Sequence, residues 1–264
     1  MSKFQDKVVL ITGGSSGIGE ATAYAFASEK AKVVLAARHK ERGEKVANEI
    51  RKAGGDAVFI RADVSRTEDV KALVNKAVRL YGRLDCAFNN AATERGTFTP
   101  IADFSEKEFD MVIRTNLKGV WLSMKYEIRQ MLKQSSGGVI VNTSSINGLG
   151  GGAQAALYSA TKSAVIALTK SAAQDYAQQG IRVNALVAGA FRTPMLERVL
   201  DRAFGSDSGD REAGESEYTK LIPLGRIGDA REAAEAVVWL CSDAASYVTG
   251  HSMIVDGGLT ASLR

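Results

Sequence analysis

The residues with the most evident chemistry are Tyr158 and Lys162, four apart in Tyr-Ser-Ala-Thr-Lys, a spacing that sets a phenol and an ammonium on one face of a helix. A phenol titrating near its ordinary ~10 is a poor base at neutral pH, and a neighbouring cation stabilises its anion, so the pair can give or take a proton. Ser144 and Ser145 end an apolar run, with Ser145 thirteen residues before Tyr158. A hydroxyl so placed is either an ordinary strand-end group or a donor to an oxygen on which charge develops. Asn116 lies in a helical stretch between Ser105 and Gln134, as a surface residue or as the mark of a local helix irregularity.

A second set of residues suits a phosphate-bearing ligand. Thr12-Gly13-Gly14-Ser15-Ser16-Gly17-Ile18-Gly19 follows the first apolar run, and a helical pattern continues from Glu20. In the order strand, Gly-rich turn, helix, glycine permits close backbone approach and the helix N-terminus offers free amides to an anion. The spacing is not GxGxxG, because three residues separate Gly13 from Gly17. At the end of the second apolar run, where an NAD binder places a carboxylate for the ribose hydroxyls, the chain reads Ala36-Ala37-Arg38-His39-Lys40. Arg38, beside His39 and Lys40, can pair with a 2′-phosphate that a carboxylate would repel. NADP(H) is therefore expected ahead of NAD(H); the alternative is that these are solvated charges at a strand end.

Both sets need a scaffold. Seven short apolar runs, at 8–11, 33–37, 57–60, 84–88, 139–142, 183–187 and 252–255, are nearly continuous rather than alternating, as in strands covered on both faces. Between them lie segments of helical period, and Ser65-x-x-Glu68, Ser105-x-x-Glu108 and Asp229-x-x-Glu232 read as capping boxes. Alternating strands and helices predict an α/β fold with a doubly wound parallel sheet, whose crevice lies outside the carboxyl ends of the strands. One stretch, 197–217, is polar and Gly/Ser-rich, with Glu197, Asp201, Asp207, Asp210, Glu212, Glu215 and Glu217 against Arg198, Arg202 and Arg211. It reads as a solvated insertion or as a mobile lid over the crevice.

Composition narrows the classes. A chain of 264 residues, 45% hydrophobic and 24% charged, can form one large sheet in a single domain, 1–264. The formal charge of +4 includes no run of five or more like charges, so nucleic acid is not expected as a partner. Cys86 and Cys241 lack CxxC spacing, which excludes a disulfide framework and a cysteine zinc site; no metal is expected. No apolar run is long enough to span a bilayer or to resemble a signal peptide, and the expectation is a cytoplasmic protein with no membrane partner.

Taken together, the sequence resembles the short-chain dehydrogenase/reductase family over its whole length. The matching motifs are Thr12-Gly13-x-x-x-Gly17-x-Gly19, Asp63-Val64, Asn89-Asn90-Ala91, Asn116, Ser145, Tyr158-x-x-x-Lys162 and Asp256-Gly257-Gly258. The resemblance implies a Rossmann-like sheet of about seven parallel strands with helices on both faces, a substrate lid at about 191–224, and hydride transfer between a nicotinamide cofactor and an alcohol or carbonyl carbon. It makes Tyr158 the general acid/base and Lys162 the group that lowers its pKa and bonds the nicotinamide ribose. Ser145, selected over Ser144 by its spacing, orients the substrate oxygen, and Asn116 holds a water that links the lysine to solvent. The resemblance also places the cofactor against Gly13, Ser15, Ser16, Gly17, Ile18 and Gly19, the adenine at Asp63 and Val64, and the adenosine ribose side at Asn90 and Ala91. Gly189, Phe191 and Thr193 are implied at the carboxamide.

Thr93, Glu94, Gln154 and Met195 are expected on the substrate side. Glu94 is the one formal charge among them, which favours a small neutral alcohol or ketone over an acyl-carrier thioester. Two positions depart from the family pattern: Ala92 stands where Gly is usual, and Ala188 where Pro is usual. The resemblance further implies a homotetramer, and the helix at 157–178 offers Ala160, Ala164, Ala167, Ser171 and Ala172 for close approach, to a partner or to its own sheet. Two other readings stay open: a cofactor-binding regulatory or scaffold protein without turnover, and an epimerase or dehydratase of the same family.

Overall fold

Strand and helix alternate along the computed structural model, which describes residues 2–134, 136–205 and 208–261. In chain order the first half comprises β1 (Val8–Thr12), α1 (Gly17–Ser28), β2 (Lys32–Ala37), α2 (Lys40–Lys52), β3 (Asp56–Arg61), α3 (Thr67–Tyr81) and β4 (Cys86–Asn89). There follow α4 (Glu106–Val112), a π-helical turn (Ile113–Lys118), α5 (Gly119–Gln134), β5 (Gly138–Ser145), α6 (Ala156–Tyr176) and β6 (Ile181–Ala188). The last part holds β7 (Phe191–Arg192), α7 (Pro194–Phe204), α8 (Ser208–Lys220), β8 (Gly228–Asp229), α9 (Ala230–Cys241) and β9 (Ser252–Val255). The seven expected strands form one parallel sheet in the order β3-β2-β1-β4-β5-β6-β9. The order reverses between β1 and β4, which opens the ligand crevice at their carboxyl ends.

Period-2 side-chain alternation sends neighbouring strand residues to opposite layers. Val9, Ile11, Val33, Leu35 and Phe88 pack under α1, α2 and α9 through Phe26, Ile50 and Val237. Val8, Leu10, Val34, Ala36 and Ala87 pack under α3, α5 and α6 through Leu73, Met124 and Val165. Burial on both faces is why the strands lack polar alternation. Cys86 and Cys241, distant in sequence, are free thiols in the first of these layers.

The structure corrects three local readings. The capping boxes at Ser105 and Asp229 form, but Ser65 caps nothing: α3 starts at Thr67, and the Ser65 and Arg66 amides donate to the side chain and carbonyl of Asp63. An Asp four residues upstream of the helix has taken over the local hydrogen bonding. The first helix begins at Gly17 rather than Glu20. Stretch 197–217 is not a loop but lies in α7 and α8, although Ser206 and Asp207 fall outside the described residues. Its charges are paired: Arg211 of α8 with Glu197 and Asp201 of α7 and with Glu215 of its own helix, and Arg192 of β7 with Glu197 and Glu215. Leu200 and Ile222 form a small core there with Phe204 and Tyr218 at its edge.

Beneath the sheet lies a polar chain unanticipated by the hydrophobic pattern. The Asn89 amide donates to Glu127 (2.9 Å) and to Asn142 (3.0 Å), and Asn142 donates to Thr169 (3.0 Å). Glu127 is fully buried, and burial pushes its carboxyl up to about 8 against the opposing pull of the Asn89 amide. A carboxyl raised in the folded state binds a proton that the unfolded chain releases near 4.5, so stability falls as pH rises from there to about 8 and is level above it. Glu127→Gln stays neutral throughout and is expected to abolish this slope, at most ~1.4 kcal/mol per pH unit, in denaturant titrations run between pH 5 and 9 in steps of about one unit.

Candidate active site

At the end of β1 the chain turns so tightly that no side chain fits. A Cβ on Gly13 would lie 2.9 Å from the Ala91 Cα and from the Asn90 amide nitrogen, and one on Gly19 would lie 2.4 Å from the Gly13 carbonyl oxygen. Thr12 Oγ1 fastens the turn to the end of β4 by accepting from the Asn90 amide (3.1 Å) and the Ala91 amide (3.3 Å). Ser16, the N-cap of α1, makes no side-chain bond to the helix, and first-turn amides, which lack intrahelical partners, are suited to an anion.

From this turn a cavity of about 930 Å³ runs along the carboxyl edge of the sheet to the lid helices. Gly13, Ser15, Ser16, Gly17 and Ile18 line its first part, with Arg38 and His39 after β2, Asp63 and Val64 after β3, and Asn90 and Ala91 after β4. Gly189, Phe191 and Thr193 line the side after β6. Gly19 does not line it; it is buried behind Gly13, where it permits the turn. Lys40, the first residue of α2, is not a lining residue either; two residues on, Arg42 lines the cavity with Arg38.

At the middle of the cavity stand Ser145, Tyr158 and Lys162. Lys162 is only 2% exposed; its Nζ donates to the Thr143 carbonyl (2.9 Å) and lies 5.6 Å from the centre of the Tyr158 ring. Burial pulls the ammonium down to about 8. Burial likewise pushes the Tyr158 phenol up to about 12, with the Ser145 hydroxyl working in the opposite direction and the Glu94 carboxylate reinforcing the rise. The protein alone thus leaves Tyr158 protonated, the reverse of the lowering expected from Lys162, because desolvation outweighs the Ser145 hydrogen bond. The two serines part company: Ser144 is buried and its Oγ donates to the Lys162 carbonyl (2.8 Å), whereas Ser145 is half-buried beside the phenol. Asn116 sits inside the π-helical turn, fully buried and off the cavity wall. Its Oδ1 accepts from the Thr93 amide (2.8 Å) and its Nδ2 donates to the Thr93 carbonyl (2.9 Å).

Thr93, Glu94, Gln154 and Met195 all line the far end. So do Arg95, Arg198 and Arg202, so Glu94 is not the one charge there. Arg198 approaches from α7 and donates to Glu94 through Nε (2.6 Å) and Nη2 (3.2 Å). No sequence signal links these two residues, which are 104 apart. Phe98 and Gln154, at φ +60° and +56°, are non-glycine residues in left-handed conformation on facing loops, strain of the kind that collects at functional sites.

Residues 13–260 match the family model described as enoyl-(acyl carrier protein) reductase. A 2,5-dichloro-2,5-cyclohexadiene-1,4-diol dehydrogenase of Sphingobium indicum is 43% identical over 99% of this chain and 100% of its own length. The chain belongs to the short-chain dehydrogenase/reductase family. A cyclohexanol dehydrogenase of Acinetobacter is 40% identical over 98% of this chain and 97% of its own. The solved structure of levodione reductase superimposes with a TM-score of 0.93 at 38% identity, covering 98% of this chain and 99% of that one. As a member of this family the protein is an oxidoreductase that acts on CH–OH groups with NAD(P). Among the described residues no helix is long and apolar enough to cross a membrane.

Both departures from the family pattern are accommodated. Ala92 is not among the residues with positive φ, so it needs none of the freedom that a glycine would bring. Ala188 ends β6 in register with Val255, and the Gly189 amide donates to the Val255 carbonyl (2.9 Å), which holds the following loop without a proline. The turn fits a dinucleotide phosphate because Gly13 and Gly17 line the cavity beside the first-turn amides of α1, and the backbone is held there because the space a Cβ would fill at Gly13, Gly17 and Gly19 is already taken by Ala91, Asn90, Thr193 and the Gly13 carbonyl. Gly19→Ala must displace the Gly13 carbonyl; the expected result is dinucleotide binding at least about tenfold weaker, with secondary structure retained, measured by calorimetric titration beside circular dichroism.

Proposed function

We propose that the protein reversibly oxidises a small, neutral, cyclic secondary alcohol to its ketone, with NADP(H) preferred over NAD(H). The observation that carries this reading is the convergence of Ser145, Tyr158 and Lys162 on one cavity that begins at the glycine turn and ends at Glu94 and Met195. The chemistry supplied by a nicotinamide held along this cavity would be hydride uptake or delivery. The chain's own groups handle the proton: Tyr158 Oη exchanges it with the substrate oxygen, and Ser145 Oγ donates a hydrogen bond to that oxygen as charge develops. Lys162, with one donor spent on Thr143, keeps others for the cofactor ribose. Asn116 has spent its side chain on Thr93, so a water relaying protons to Lys162 would meet its main chain, in a turn whose hydrogen bonding is widened to i+5.

Support for the substrate class is twofold. Pairing Glu94 with Arg198 cancels that carboxylate, although Arg95 and Arg202 also line the substrate end, and the relatives named for cyclohexanol and a cyclohexadiene diol act on small rings. For the cofactor, the lining after β2 is Arg38, His39 and Arg42 with no carboxylate. A surrounding helical lid within 191–224 supplies Met195 and Leu196 to the cavity wall. Free, buried Cys86 and Cys241 accord with the reducing cytoplasm. A homotetramer accords with α6, where Ala160, Ala167 and Ser171 are exposed and Ala164 is half-buried, while Ala172 faces the protein's own core.

Tyr158→Phe is expected to lower turnover of cyclohexanol with NADP+ by about 10²–10⁴-fold while changing NADPH affinity little, as read by nicotinamide absorbance and fluorescence titration. Near wild-type turnover would refute the assignment. Arg38→Ala is expected to lower the ratio of kcat/KM with NADP+ to that with NAD+ by at least about tenfold, equivalent to one lost charge-assisted contact; an unchanged ratio would remove Arg38 from cofactor selection.

A further inference from the structure

We infer that the Tyr218 hydroxyl binds substrate by hydrogen-bonding to a second oxygen, remote from the reacting carbon, so that the preferred substrate is a ring bearing two oxygens rather than one. This deepens the reading of a neutral cyclic alcohol and rests on it. Among the described residues Tyr218 is the one residue of α8 on the cavity wall. Its ring packs with Leu196 and Phe204 at the edge of the small core of Ala190, Leu200, Ile222 and Ile227. That core is held from two sides. A Cβ on Gly214 would collide with the Phe204 ring, so α8 meets α7 without space for a side chain, and Tyr218 falls one turn later on the same face. Beyond the helix, the Leu224 amide donates to the Gly257 carbonyl (3.1 Å), and a Cβ on Gly257 would lie 2.7 Å from the Ile222 side chain. Packing thus accounts for the Tyr218 ring but not for its hydroxyl.

The polar side chains on the wall beyond Tyr158 divide into those already bonded within the chain and those that are not. Glu94 and Arg198 are bonded to each other. Thr97 Oγ1 donates to the Glu94 carbonyl (2.8 Å), Thr93 Oγ1 accepts from the Arg95 amide (3.3 Å), and Thr193 Oγ1 accepts from the Leu196 amide (3.2 Å). Arg95, Gln154 and Arg202 are exposed, so water satisfies them and screens the two cations, which do not demand an anionic substrate. The half-buried side chains left without a protein partner among the described residues are Asn147 and Tyr218. Asn147, two residues after Ser145, belongs to the wall that meets the reacting oxygen, whereas Tyr218 belongs to the lid. Burial raises the Tyr218 phenol with no charged neighbour contributing, so it stays protonated and both donates and accepts. A hydrocarbon ring pressed against this wall leaves the hydroxyl without a partner; a second hydroxyl or carbonyl oxygen completes it.

The test uses the full chain and Tyr218→Phe, which keeps the packed ring and removes the hydroxyl, with circular dichroism to check that the fold is retained. Affinity is read by calorimetric titration of the protein, saturated with NADP+ or NAD+, with cyclohexane-1,4-dione and with cyclohexanone, two ketones that the oxidised cofactor cannot turn over. The wild type is expected to bind the dione about tenfold more tightly, and Tyr218→Phe to bring that ratio to about two, the statistical value for two equivalent carbonyls. The ratio of kcat/KM for cyclohexane-1,4-diol to that for cyclohexanol is expected to fall in the same way. A wild-type binding ratio of about two, a larger ratio that survives in Tyr218→Phe, or binding of neither ketone would overturn the assignment. So would tighter binding of 4-oxocyclohexanecarboxylate than of the dione, lost in Arg202→Ala and kept in Tyr218→Phe, which would make the second group an anion held by Arg202. Absence of alcohol turnover with either cofactor would count against the proposed function, and the binding ratios would still decide the role of Tyr218.

Discussion

The site depends on one close approach. Where the strand order reverses, the backbone of Gly13 passes within Cβ distance of Asn90 and Ala91, and Gly19 closes the turn from behind. Side chains are excluded from that contact, so the ends of β1 and β4 come together and the amides at the start of α1 are brought to the edge of the crevice. Thr12 holds the arrangement by accepting from two β4-side amides. Gly17, at φ +58° and against Thr193, carries the same constraint outward to the first turn of α7. The phosphate turn, the neighbouring strand end and the lid are thus positioned by a single patch of backbone that tolerates little change.

Desolvation governs the groups that surround it. Lys162 and Tyr158 each sit where burial favours the neutral form, driving one down to about 8 and the other up to about 12. Such a pair is poised for proton exchange once other groups reach it, since small changes in charge nearby alter which form prevails. Glu127 shows the same physics without an evident catalytic use: a fully buried carboxyl among Asn89, Asn142 and Thr169 that favours its protonated form. Glu94 is the exception, held ionised by Arg198 in spite of its enclosure. The active site therefore combines groups kept neutral by burial with one charge kept by a partner on a different helix.

Much of this was legible in the linear chain. Continuous apolar runs located all seven strands of the main sheet, because strands buried on both faces lack regular polar alternation. The order strand, glycine turn, helix located the phosphate cradle, and the four-residue spacing of Tyr158 and Lys162 put both groups on one helix face, whereas the roles of Asn116 and Ser145 followed from resemblance to the family's motifs. What tertiary structure alone decided were relations between distant segments. Ser65 does not cap α3 because Asp63 takes its amide, a competition invisible in the spacing. Stretch 197–217 lies in α7 and α8, which Arg211 joins through Glu197 and Arg192 through Glu197 and Glu215, whereas composition alone suggested a loop. Arg42 rather than Lys40 lines the cavity with Arg38. Arg198 meets Glu94 across 104 residues. A sequence specifies which groups exist and which lie within a turn or two of one another; the sign and strength of their interactions depend on burial and on partners that only the folded chain brings within hydrogen-bonding distance.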